Sequence, residues 1–502
     1  MGEASAGRGK LDLPHSESDF ASVRLFLPYI GGGFVEPESG ERIAVFEPAS
    51  GKPYAELALC GAAELEAAVA AASRAFPDWS ARSSEERARW LERIAEAIEA
   101  RAEAFAAAES RNTGKPIALA RALDIPRAIA NFRFFAAAIR QFASEFYEGA
   151  GGAWHLVLRP PLGVVGLISP WNLPLYLLSW KIAPAIAAGN TVLAKPSELT
   201  PETATMLAEV FAEIGLPAGV VNILHGPGET IGRMIVEHPT VRAISFTGST
   251  RAGRDIAARA APALKKLSLE LGGKNPTLVF ADGPWQERLD LLVRSAFANQ
   301  GQICLCGSRL LVEASIYREF REAFLNRVAA LRIGDPSDPA TEFGALVSEA
   351  HLSRVEQAVA RARAEGGGIL CGGMRLTLPG RLAEGWFYAP TVIEGLPPDC
   401  ATEREEIFGP VVSLSPFADE DEALCRANAV DYGLSASLFT ADLRRAMRLA
   451  ARLQCGMLWV NTWMLRDLRV PFGGIKNSGL GREGGFEALR FFTEARSIGI
   501  AP

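Results

Sequence analysis

Residues 164–168 read Val164-Val165-Gly166-Leu167-Ile168, an uninterrupted apolar run that is typical of a strand buried on both faces of a sheet. Short runs of the same kind recur at Thr191–Lys195, 220–224 and 243–246, and a segment with helical periodicity follows each of them. Repeated strand–helix units predict an α/β fold with a parallel, doubly wound sheet. In such a sheet, ligands bind at the carboxyl ends of the strands.

The same alternation resumes after Asp282 and predicts a second α/β domain. Its predicted helices are 285–298, 316–331, 352–365, 421–428 and 443–453, and its predicted strands are 309–312, 411–415, 436–439 and 457–461. Ahead of the first sheet, residues 64–98 predict two amphipathic helices, separated by Pro77 and a Ser83-Ser84 cap. The second of these is expected to continue to about residue 112.

Two further segments predict elements that project from these domains. Residues 147–162 contain a glycine-rich breaker at 149–152 and then the alternating run Trp154-His155-Leu156-Val157-Leu158, which predicts a hairpin strand. The tail 486–500 predicts a helix followed by a strand, which could pair with the hairpin or with another subunit.

Composition excludes several functional classes. The 502 residues include 49% hydrophobic and 22% charged residues, ordinary values for a globular chain with a large core. A net charge of -6 gives no reason to expect nucleic acid or membrane binding. The five histidines are isolated, so no metal site is expected, and the seven dispersed cysteines indicate a reduced, cytoplasmic protein. Residues 1–20 are polar and predict a disordered leader.

The candidate nucleophile is Cys304, in Phe297-Ala298-Asn299-Gln300-Gly301-Gln302-Ile303-Cys304-Leu305-Cys306-Gly307-Ser308-Arg309. It lies between a predicted helix and a predicted strand, where a ligand can reach it from outside the core. A thiol is an effective nucleophile only when its pKa is lowered or a base is nearby. Taken alone, Cys304 is therefore as well explained by a buried structural thiol.

Several loops at strand ends have the chemistry of a dinucleotide site. The glycines of 226–232 miss the usual fingerprint spacing, but Phe246-Thr247-Gly248-Ser249 places a hydroxyl at a helix N-terminus, which suits a phosphate. Lys195 and Glu198 could bind ribose hydroxyls, and a carboxylate there would repel a 2′-phosphate. The pattern favours NAD over NADP, although a solvated charged turn explains Lys195 and Glu198 equally well.

Two further residues have environments suited to acyl chemistry. Glu270 is a lone carboxylate in the apolar strand before Gly272-Gly273, and burial would raise its pKa towards that of a general base. Asn172 lies between Pro170 and Pro174 in a rigid loop, where an amide N–H could stabilise an oxyanion. A satisfied core glutamate and a turn-forming asparagine are the alternatives.

Together and in this order, these motifs resemble the aldehyde dehydrogenase superfamily, from about residue 28 to the C-terminus. The most specific pieces are Pro170-Trp171-Asn172, Leu269-Glu270-Leu271-Gly272-Gly273-Lys274, Gly301-Gln302-Ile303-Cys304, Glu406-Ile407-Phe408-Gly409-Pro410 and Pro471-Phe472-Gly473-Gly474. The resemblance implies an α/β fold of two doubly wound parallel-sheet domains with a small oligomerisation hairpin and strand. It assigns an NAD-binding domain to 22–145 and 165–272, a catalytic domain to 273–470, and oligomerisation elements to 146–164 and 486–502.

The resemblance also implies the residue roles. Cys304 attacks the aldehyde carbon, and the Asn172 amide and the Cys304 backbone N–H hold the resulting oxyanion. Hydride passes to the nicotinamide of NAD, and Glu270 activates the water that hydrolyses the thioester. Lys181 and Glu483 match a proton relay. The positions that match cofactor contacts are Ile168, Pro170, Trp171, Lys195, Ser197, Glu198, Gly228, Phe246, Gly248, Ser249, Leu271, Gly272, Glu406 and Phe408.

A finer resemblance concerns the substrate. Residues 124–127, 131–135, 304–306 and 463–469 are similar to those of the dehydrogenases of 2-aminomuconate and 2-hydroxymuconate semialdehydes, enzymes of tryptophan (kynurenine) and aromatic ring-cleavage catabolism. Such a substrate carries an aldehyde at one end and a carboxylate at the other, so its site needs a cation several ångströms from the thiol. The candidates are Arg127 and Arg466, with Trp180 as a further substrate contact, because guanidinium pairs bidentately with carboxylate.

Alternatives remain at this level. Each arginine could instead form a surface or inter-element ion pair. The chain could act on an aliphatic or betaine-type aldehyde, transfer the acyl group to coenzyme A, or be a catalytically silent homologue. Glu270 argues against acyl transfer to coenzyme A, and the intact set of Cys304, Glu270 and Asn172 argues against a silent homologue. The resemblance implies a homodimer or homotetramer, and sequence does not distinguish an amino from a hydroxy substituent on the substrate.

Overall fold

The computed structural model describes residues 24–501, so the predicted leader at 1–20 lies outside the described residues. Within 24–501, no helix combines the length and apolar character needed to cross a bilayer. The strands are β1 (Arg24–Phe26), β2 (Tyr29–Ile30), β3 (Gly33–Phe34), β4 (Arg42–Glu47), β5 (Lys52–Ala58), β6 (Glu145–Glu148), β7 (Trp154–Leu158), β8 (Val164–Ile168), β9 (Thr191–Lys195), β10 (Val221–Ile223), β11 (Val241–Thr247), β12 (Lys266–Glu270), β13 (Asn275–Val279), β14 (Gly307–Glu313), β15 (Gly368–Cys371), β16 (Arg375–Leu376), β17 (Phe387–Tyr388), β18 (Thr391–Glu394), β19 (Val411–Phe417), β20 (Tyr432–Gly433), β21 (Ser435–Phe439), β22 (Met457–Val460), β23 (Ile475–Lys476), β24 (Gly479–Leu480) and β25 (Arg496–Ile500).

The helices alternate with these strands through most of the chain. They are α1 (Ala62–Ala81), α2 (Ser84–Ala100), α3 (Ala102–Thr113), α4 (Ile117–Leu119), α5 (Ile125–Arg140), α6 (Pro174–Ala187), α7 (Glu202–Glu213), α8 (Arg233–Glu237), α9 (Thr250–Ala260), α10 (Leu289–Phe297), α11 (Tyr317–Ala329), α12 (Glu349–Ala364), α13 (Ala401–Arg404), α14 (Glu420–Asn428), α15 (Leu443–Ala450) and α16 (Gly485–Phe491). A π-helical turn at Ala120–Asp124 leads into α5, and another at Gly228–Gly232 leads into α8.

The first sheet has eight strands in the order β24-β12-β11-β8-β9-β10-β2-β3. The pairs among β8 to β12 are parallel, whereas β24 and β2 are antiparallel to their neighbours. The chain proceeds from β8 outward through β9 and β10, and then returns to the other side of β8 for β11 and β12. The strand order therefore reverses beside β8, which opens a crevice at the carboxyl ends of β8 and β11.

The first sheet is covered on both faces. Val165 and Leu167 of β8 belong to a core formed with α2, α5, α6 and α7. Val164 and Ile168 belong to a second core, formed with α1, α8 and α9. Successive residues of a strand face opposite sides, so burial of both faces explains why residues 164–168 are apolar without alternation.

The second sheet has seven strands in the order β15-β18-β19-β14-β13-β21-β22, all parallel except β15. Both sheets are therefore doubly wound, and the predicted fold class is confirmed. A small sheet of β25-β7-β6 stands apart from them, with Arg496 opposite Leu158. The tail strand thus pairs with the predicted hairpin. A further sheet, β1-β5-β4, was not predicted.

Two predicted helix limits near the N-terminus are wrong. Pro77 does not interrupt α1, which continues to Ala81. Trp79 is buried, and its indole Nε1 donates to the carbonyl oxygen of Ile186 at 3.1 Å, so tertiary packing offsets the hydrogen bond that the proline removes. The second helix ends at Ala100, because Arg101 leaves the helical conformation at φ −114° and ψ 18°, and α3 begins after it.

Candidate active site

Cys304 lies in the loop between α10 and β14, where a helix-to-strand junction was predicted. The loop turns sharply because Asn299, Gln300 and Gly301 all adopt left-handed backbone conformations, with φ of 50°, 56° and 71°. A Cβ at Gly301 would lie 2.1 Å from the carbonyl oxygen of Gly409, so only glycine fits there. The turn leaves the Cys304 side chain partly exposed while its neighbours are buried.

Asn275 fixes the backbone of this loop. Its Nδ2 donates to the carbonyl oxygens of Cys304 at 2.7 Å and Cys306 at 2.9 Å, and its Oδ1 accepts from the backbone N–H of Ser435 at 3.0 Å. A Cβ at Gly273 would lie 2.9 Å from the Cys304 carbonyl oxygen, so glycine permits this close packing. One buried amide therefore joins β13, the nucleophile loop and the start of β21.

Asn172 contacts the same loop from the other side. Its Nδ2 donates to the carbonyl oxygen of Gln302 at 2.8 Å. The Asn299 amide in turn donates to the Asn172 carbonyl oxygen at 3.0 Å and to that of Gln302 at 3.2 Å. One N–H of Asn172 is thus anchored beside Cys304. A carboxamide has two N–H donors, so the second is available to an oxyanion.

The electrostatic surroundings disfavour a resting thiolate. Burial, together with the carboxyl groups of Glu406 and Glu270, raises the pKa of the Cys304 thiol above its usual range. A thiol in this environment needs a nearby base to accept its proton before it can act as a nucleophile.

Glu270 ends β12 and is 3% exposed. Neither of its carboxyl oxygens has a hydrogen-bond partner among residues 24–501. Burial, and then the charge of Glu483, raise the pKa of Glu270 well above the ordinary value of 4.5. A carboxyl group with a raised pKa is suited to general-base chemistry near neutral pH.

A late segment of the chain closes over Glu270. Gly479 in β24 pairs with Glu270 itself, and Gly473 lies against the carboxyl group. A Cβ at Gly473 would lie 2.6 Å from Glu270 Oε1. Residues 471–485 therefore form a wall of the Glu270 site.

Lys181 and Glu483 are in direct contact, as a proton relay would need. Lys181 Nζ lies 2.7 Å from Glu483 Oε1 and donates to Ser245 Oγ at 2.9 Å, and Ser245 Oγ donates to the same Glu483 oxygen at 2.9 Å. All three residues are buried. Ser245 of β11 was not singled out in the sequence, because a serine in a buried strand carries no distinctive signal.

The residues matched to cofactor contacts gather at the carboxyl ends of the first sheet. Lys195 ends β9 and its Nζ lies 2.8 Å from Glu198 Oε2. Ser249 caps α9 and accepts from the backbone N–H of Ala252 at 3.2 Å. The others on or beside these strand ends are Ile168, Pro170, Trp171, Ser197, Gly228, Phe246, Gly248, Leu271 and Gly272.

The loop between α13 and β19 contributes Glu406 and Phe408 to this crevice. Glu406 Oε1 accepts from the backbone N–H of Gly273 at 2.9 Å, and burial raises the pKa of Glu406 to about 7. A Cβ at Gly272 would lie 2.3 Å from Glu406 Oε2, so glycine admits the carboxyl group. Phe408 packs edge-to-face on Trp171 with ring centroids 5.3 Å apart. Lys195 and Glu198 can donate to and accept from ribose hydroxyls, the N-terminus of α9 suits a phosphate, and glycine at position 272 allows close packing. Together these features fit a dinucleotide.

The predicted substrate arginines line one cavity of about 610 Å³. Arg127, Arg466 and Tyr176 form part of its wall, and the cavity reaches Ile303, the neighbour of Cys304. The Arg127 guanidinium lies 4.9 Å from the ring centroid of Trp180, which supports the arginine from behind and is not among the cavity-lining residues.

Sequence reasoning missed Asn275, Asn299, Ser245, Tyr176 and Asn131. Asn131 could have been predicted from the sequence, because residues four positions apart on a helix are neighbours and Asn131 follows Arg127 at this spacing. In the structure its side-chain oxygen accepts from Arg127 Nε at 3.0 Å. The contacts of Asn275 and Asn299 join residues far apart in sequence, and no local pattern predicts them.

The aldehyde dehydrogenase family model matches residues 34–498. The chain is 49% identical over 475 residues to the 2-aminomuconic semialdehyde dehydrogenase of Danio rerio, covering 94% of this chain and 97% of the relative. It is 45% identical over 476 residues to the 2-hydroxymuconic semialdehyde dehydrogenase of Pseudomonas sp. strain CF600, covering 94% and 98%. The crystal structure of PnpE in complex with nicotinamide adenine dinucleotide matches with a TM-score of 0.92 at 42% identity, covering 95% of this chain and 97% of that chain. The family and enzyme class predicted from the sequence are confirmed: the chain belongs to the aldehyde dehydrogenase family.

Proposed function

We propose that the chain oxidises a carboxylate-bearing semialdehyde to the dicarboxylic acid with NAD as oxidant. The substrate is 2-aminomuconate 6-semialdehyde or 2-hydroxymuconate semialdehyde. The observation that carries the proposal is the pair of guanidinium groups, Arg127 and Arg466, in the cavity that reaches Ile303 beside Cys304. The relatives named for these two substrates support it.

Neither arginine is in direct contact with a carboxylate in the described chain, although the charge of Asp467 acts on Arg127. Within residues 24–501, no carboxylate forms an ion pair with Arg127 or Arg466, although ion pairs are frequent elsewhere on this chain. Arg127 Nη2 is buried and has no hydrogen-bond partner in the described chain. A desolvated guanidinium without a counter-ion is costly, so binding of a substrate carboxylate recovers this free energy.

The remaining residues supply the chemistry. Cys304 Sγ attacks the aldehyde carbon, and the free N–H of Asn172 with the Cys304 backbone N–H stabilises the oxyanion. Lys195, Glu198 and Ser249 would hold NAD at the carboxyl ends of the first sheet, where it would supply the hydride acceptor. Glu270 then removes a proton from the water that hydrolyses the thioester. Lys181, Ser245 and Glu483 form a hydrogen-bonded cluster whose Glu483 charge acts on the Glu270 carboxyl group, and a proton relay through this cluster requires Glu270 to come into contact with it.

The charge of the cavity decides among the alternatives. A betaine-type aldehyde carries a cation, which Arg127 and Arg466 would repel. A neutral aliphatic aldehyde would leave both guanidinium groups without a partner. Transfer of the acyl group to coenzyme A needs no water-activating base, yet Glu270 is present and its pKa is raised.

The test is NADH formation with 2-hydroxymuconate semialdehyde by the wild type and by Arg127→Ala and Arg466→Ala. We expect each variant to lose about 10²-fold in kcat/KM, or about 2.7 kcal/mol. Arg327→Ala is the matched control, because Arg327 lines the same cavity but is paired with Asp290 and Glu342. If the wild type oxidises only simple aldehydes and all three variants match it, the substrate proposal is wrong. If the expected losses are observed, competition between the amino and hydroxy substrates assigns the substituent.

We also propose a homodimer or homotetramer assembled through the small sheet. Its outer surface exposes Phe146, Tyr147 and Trp154, each more than 50% accessible, and β22 leaves an open edge on the second sheet. Trp154→Arg is expected to lower the molar mass measured by light scattering, and an unchanged mass would exclude this surface.

All seven cysteines are free, which supports a cytoplasmic location.

A further inference from the structure

We propose that Asn131 is a positioning residue that orients Arg127 and thereby sets the preference for aldehydes that carry a carboxylate. The inference rests on the proposed function, because it assigns Arg127 to the substrate carboxylate. Asn131 is fully buried, on α5, one helical turn after Arg127.

Every hydrogen-bonding atom of the Asn131 amide is engaged. Oδ1 accepts from Arg127 Nε at 3.0 Å. Nδ2 donates to the carbonyl oxygen of Tyr176 at 3.1 Å and to Ser179 Oγ at 3.0 Å. Ser179 Oγ donates to the same Tyr176 carbonyl oxygen at 2.9 Å. The amide can therefore neither flip nor rotate without losing contacts to α6, and its oxygen is held towards Arg127.

The helix that holds Asn131 in place also supports the guanidinium group. The rings of Tyr176 and Trp180, both on α6, lie 5.1 and 4.9 Å from the Arg127 guanidinium carbon. Two ring faces and one hydrogen bond at Nε together fix the plane of the guanidinium and the direction of its far edge. With Nε occupied, the Nη1 and Nη2 pair remains for a bidentate carboxylate, and Nη2 is buried without a partner in residues 24–501.

A neutral amide side chain can hold the Arg127 guanidinium without cancelling its positive charge. Burial lowers the pKa of Arg127 to about 10, with smaller effects from Tyr176, Arg466 and Asp467, so the group stays charged at neutral pH. An aspartate at position 131 would hold the guanidinium in the same place but neutralise it. The asparagine fixes the geometry and leaves the positive charge available to the substrate.

The experiment compares 2-hydroxymuconate semialdehyde with 2,4-hexadienal, a conjugated aldehyde that lacks the carboxylate, by measuring the ratio of their kcat/KM values. Asn131→Leu removes the acceptor at similar volume and is expected to lower this ratio roughly 10- to 100-fold, mainly through KM for the carboxylate substrate. Asn131→Asp is expected to lower the ratio as well. A crystal structure of this variant is expected to show the Arg127 side chain in its wild-type position.

Asn222→Ala is the control, because Asn222 is equally buried and its amide joins Gly31, Val192 and Gly219 in a different part of the first sheet. It should lower thermal stability without changing the ratio. A fall in stability alone therefore cannot account for the effect of Asn131→Leu, and if that variant does not fold, Asn131→Asp carries the test.

The outcomes separate the two proposals. A wild type with no preference for the carboxylate substrate contradicts the proposed function. A wild-type preference that Arg127→Ala abolishes, but that Asn131→Leu and Asn131→Asp both retain, overturns only the inference on Asn131.

Discussion

Replacing Gly473 by alanine is expected to block hydrolysis of the thioester while leaving its formation intact. The added Cβ would lie 2.6 Å from Glu270 Oε1, closer than any normal carbon–oxygen contact. The carboxyl group is the movable partner, since neither of its oxygens is held by a hydrogen bond within residues 24–501. The three atoms nearest to the added methyl group belong to Glu270, Gly481 and Arg482, and not to Cys304 or Asn172, so acyl formation should proceed.

The magnitude follows from the displacement. Moving a catalytic group by about 1 Å costs on the order of 10²-fold in rate, or about 2.7 kcal/mol. Gly473 also has φ of 150°, and alanine in such a conformation adds about 1–3 kcal/mol of backbone strain to the folded state. We therefore expect kcat to fall about 10²-fold, together with a moderate loss of thermal stability.

The assay is rapid-mixing measurement of NADH. Gly473→Ala should release about one equivalent of NADH per site in a burst and then turn over slowly. Gly481→Ala is the matched control: its φ of 82° imposes similar strain, but the nearest atom to its Cβ is 3.5 Å away, at the Leu267 carbonyl oxygen. Equal losses of kcat in both variants, or no burst in Gly473→Ala, would refute the reasoning.

Three further predictions concern buried polar groups. Burial raises the pKa of Glu270 well above 4.5 in the folded state, so the stability contributed by this group is lost as pH rises from 4.5 towards the higher folded-state pKa. In urea unfolding, Glu270→Gln should therefore gain stability relative to the wild type as pH rises above 4.5, and a constant difference would contradict this. Asn275→Ala leaves two carbonyl oxygens of the nucleophile loop without their hydrogen-bond donor. It should slow the NADH burst roughly 10- to 100-fold and lower the free energy of unfolding by about 1–3 kcal/mol. An unchanged burst rate would exclude a positioning role for Asn275. Lys115 is fully buried, with its Nζ 2.7 Å from Asp124 and 3.7 Å from Glu109. Lys115→Met should lower the free energy of unfolding by about 3–5 kcal/mol, and the second change Asp124→Asn should restore part of this loss. If nothing is restored, the uncompensated charge is not its cause.

The sequence was sufficient for both doubly wound sheets because their strands are buried on two faces. Runs such as residues 164–168 and Thr191–Lys195 are apolar without alternation, and the helices between them keep a helical period. The sheet β1-β5-β4 was missed because its strands contain no continuous apolar run: Arg42, Ala44 and Phe46 of β4 are exposed, and β5 begins with the exposed Lys52 and Pro53. Pro77 misled for another reason: long-range packing of Trp79 outweighs a local breaker.

The residues of the candidate site likewise fall into those that sequence could predict and those that it could not. Residues inside continuous motifs, such as Glu270 and Cys304, were found from sequence, and their roles remain proposals. Several contacts that join distant parts of the chain were not found. Asn172 was identified from sequence, but its contact with Gln302, 130 positions away, was not, and Asn275, about 30 positions before Cys304, was missed altogether. These contacts form only when the two sheets are assembled. The absence of an ion pair at Arg127 and Arg466, among residues 24–501, is likewise a property of the folded cavity.

The wall that residues 471–485 build around Glu270 has a consequence for synthesis of the protein. Glu270 leaves the ribosome about two hundred residues before Gly473, and Lys181 does so about three hundred residues before Glu483. A nascent chain that already contains β8 to β22 therefore carries Cys304, Asn172 and Glu270 but lacks β24 and the anionic partner of Lys181. On the proposed mechanism, such a chain has the nucleophile but lacks the wall beside Glu270, so we expect hydrolysis of the thioester only after the late segment docks on the first sheet.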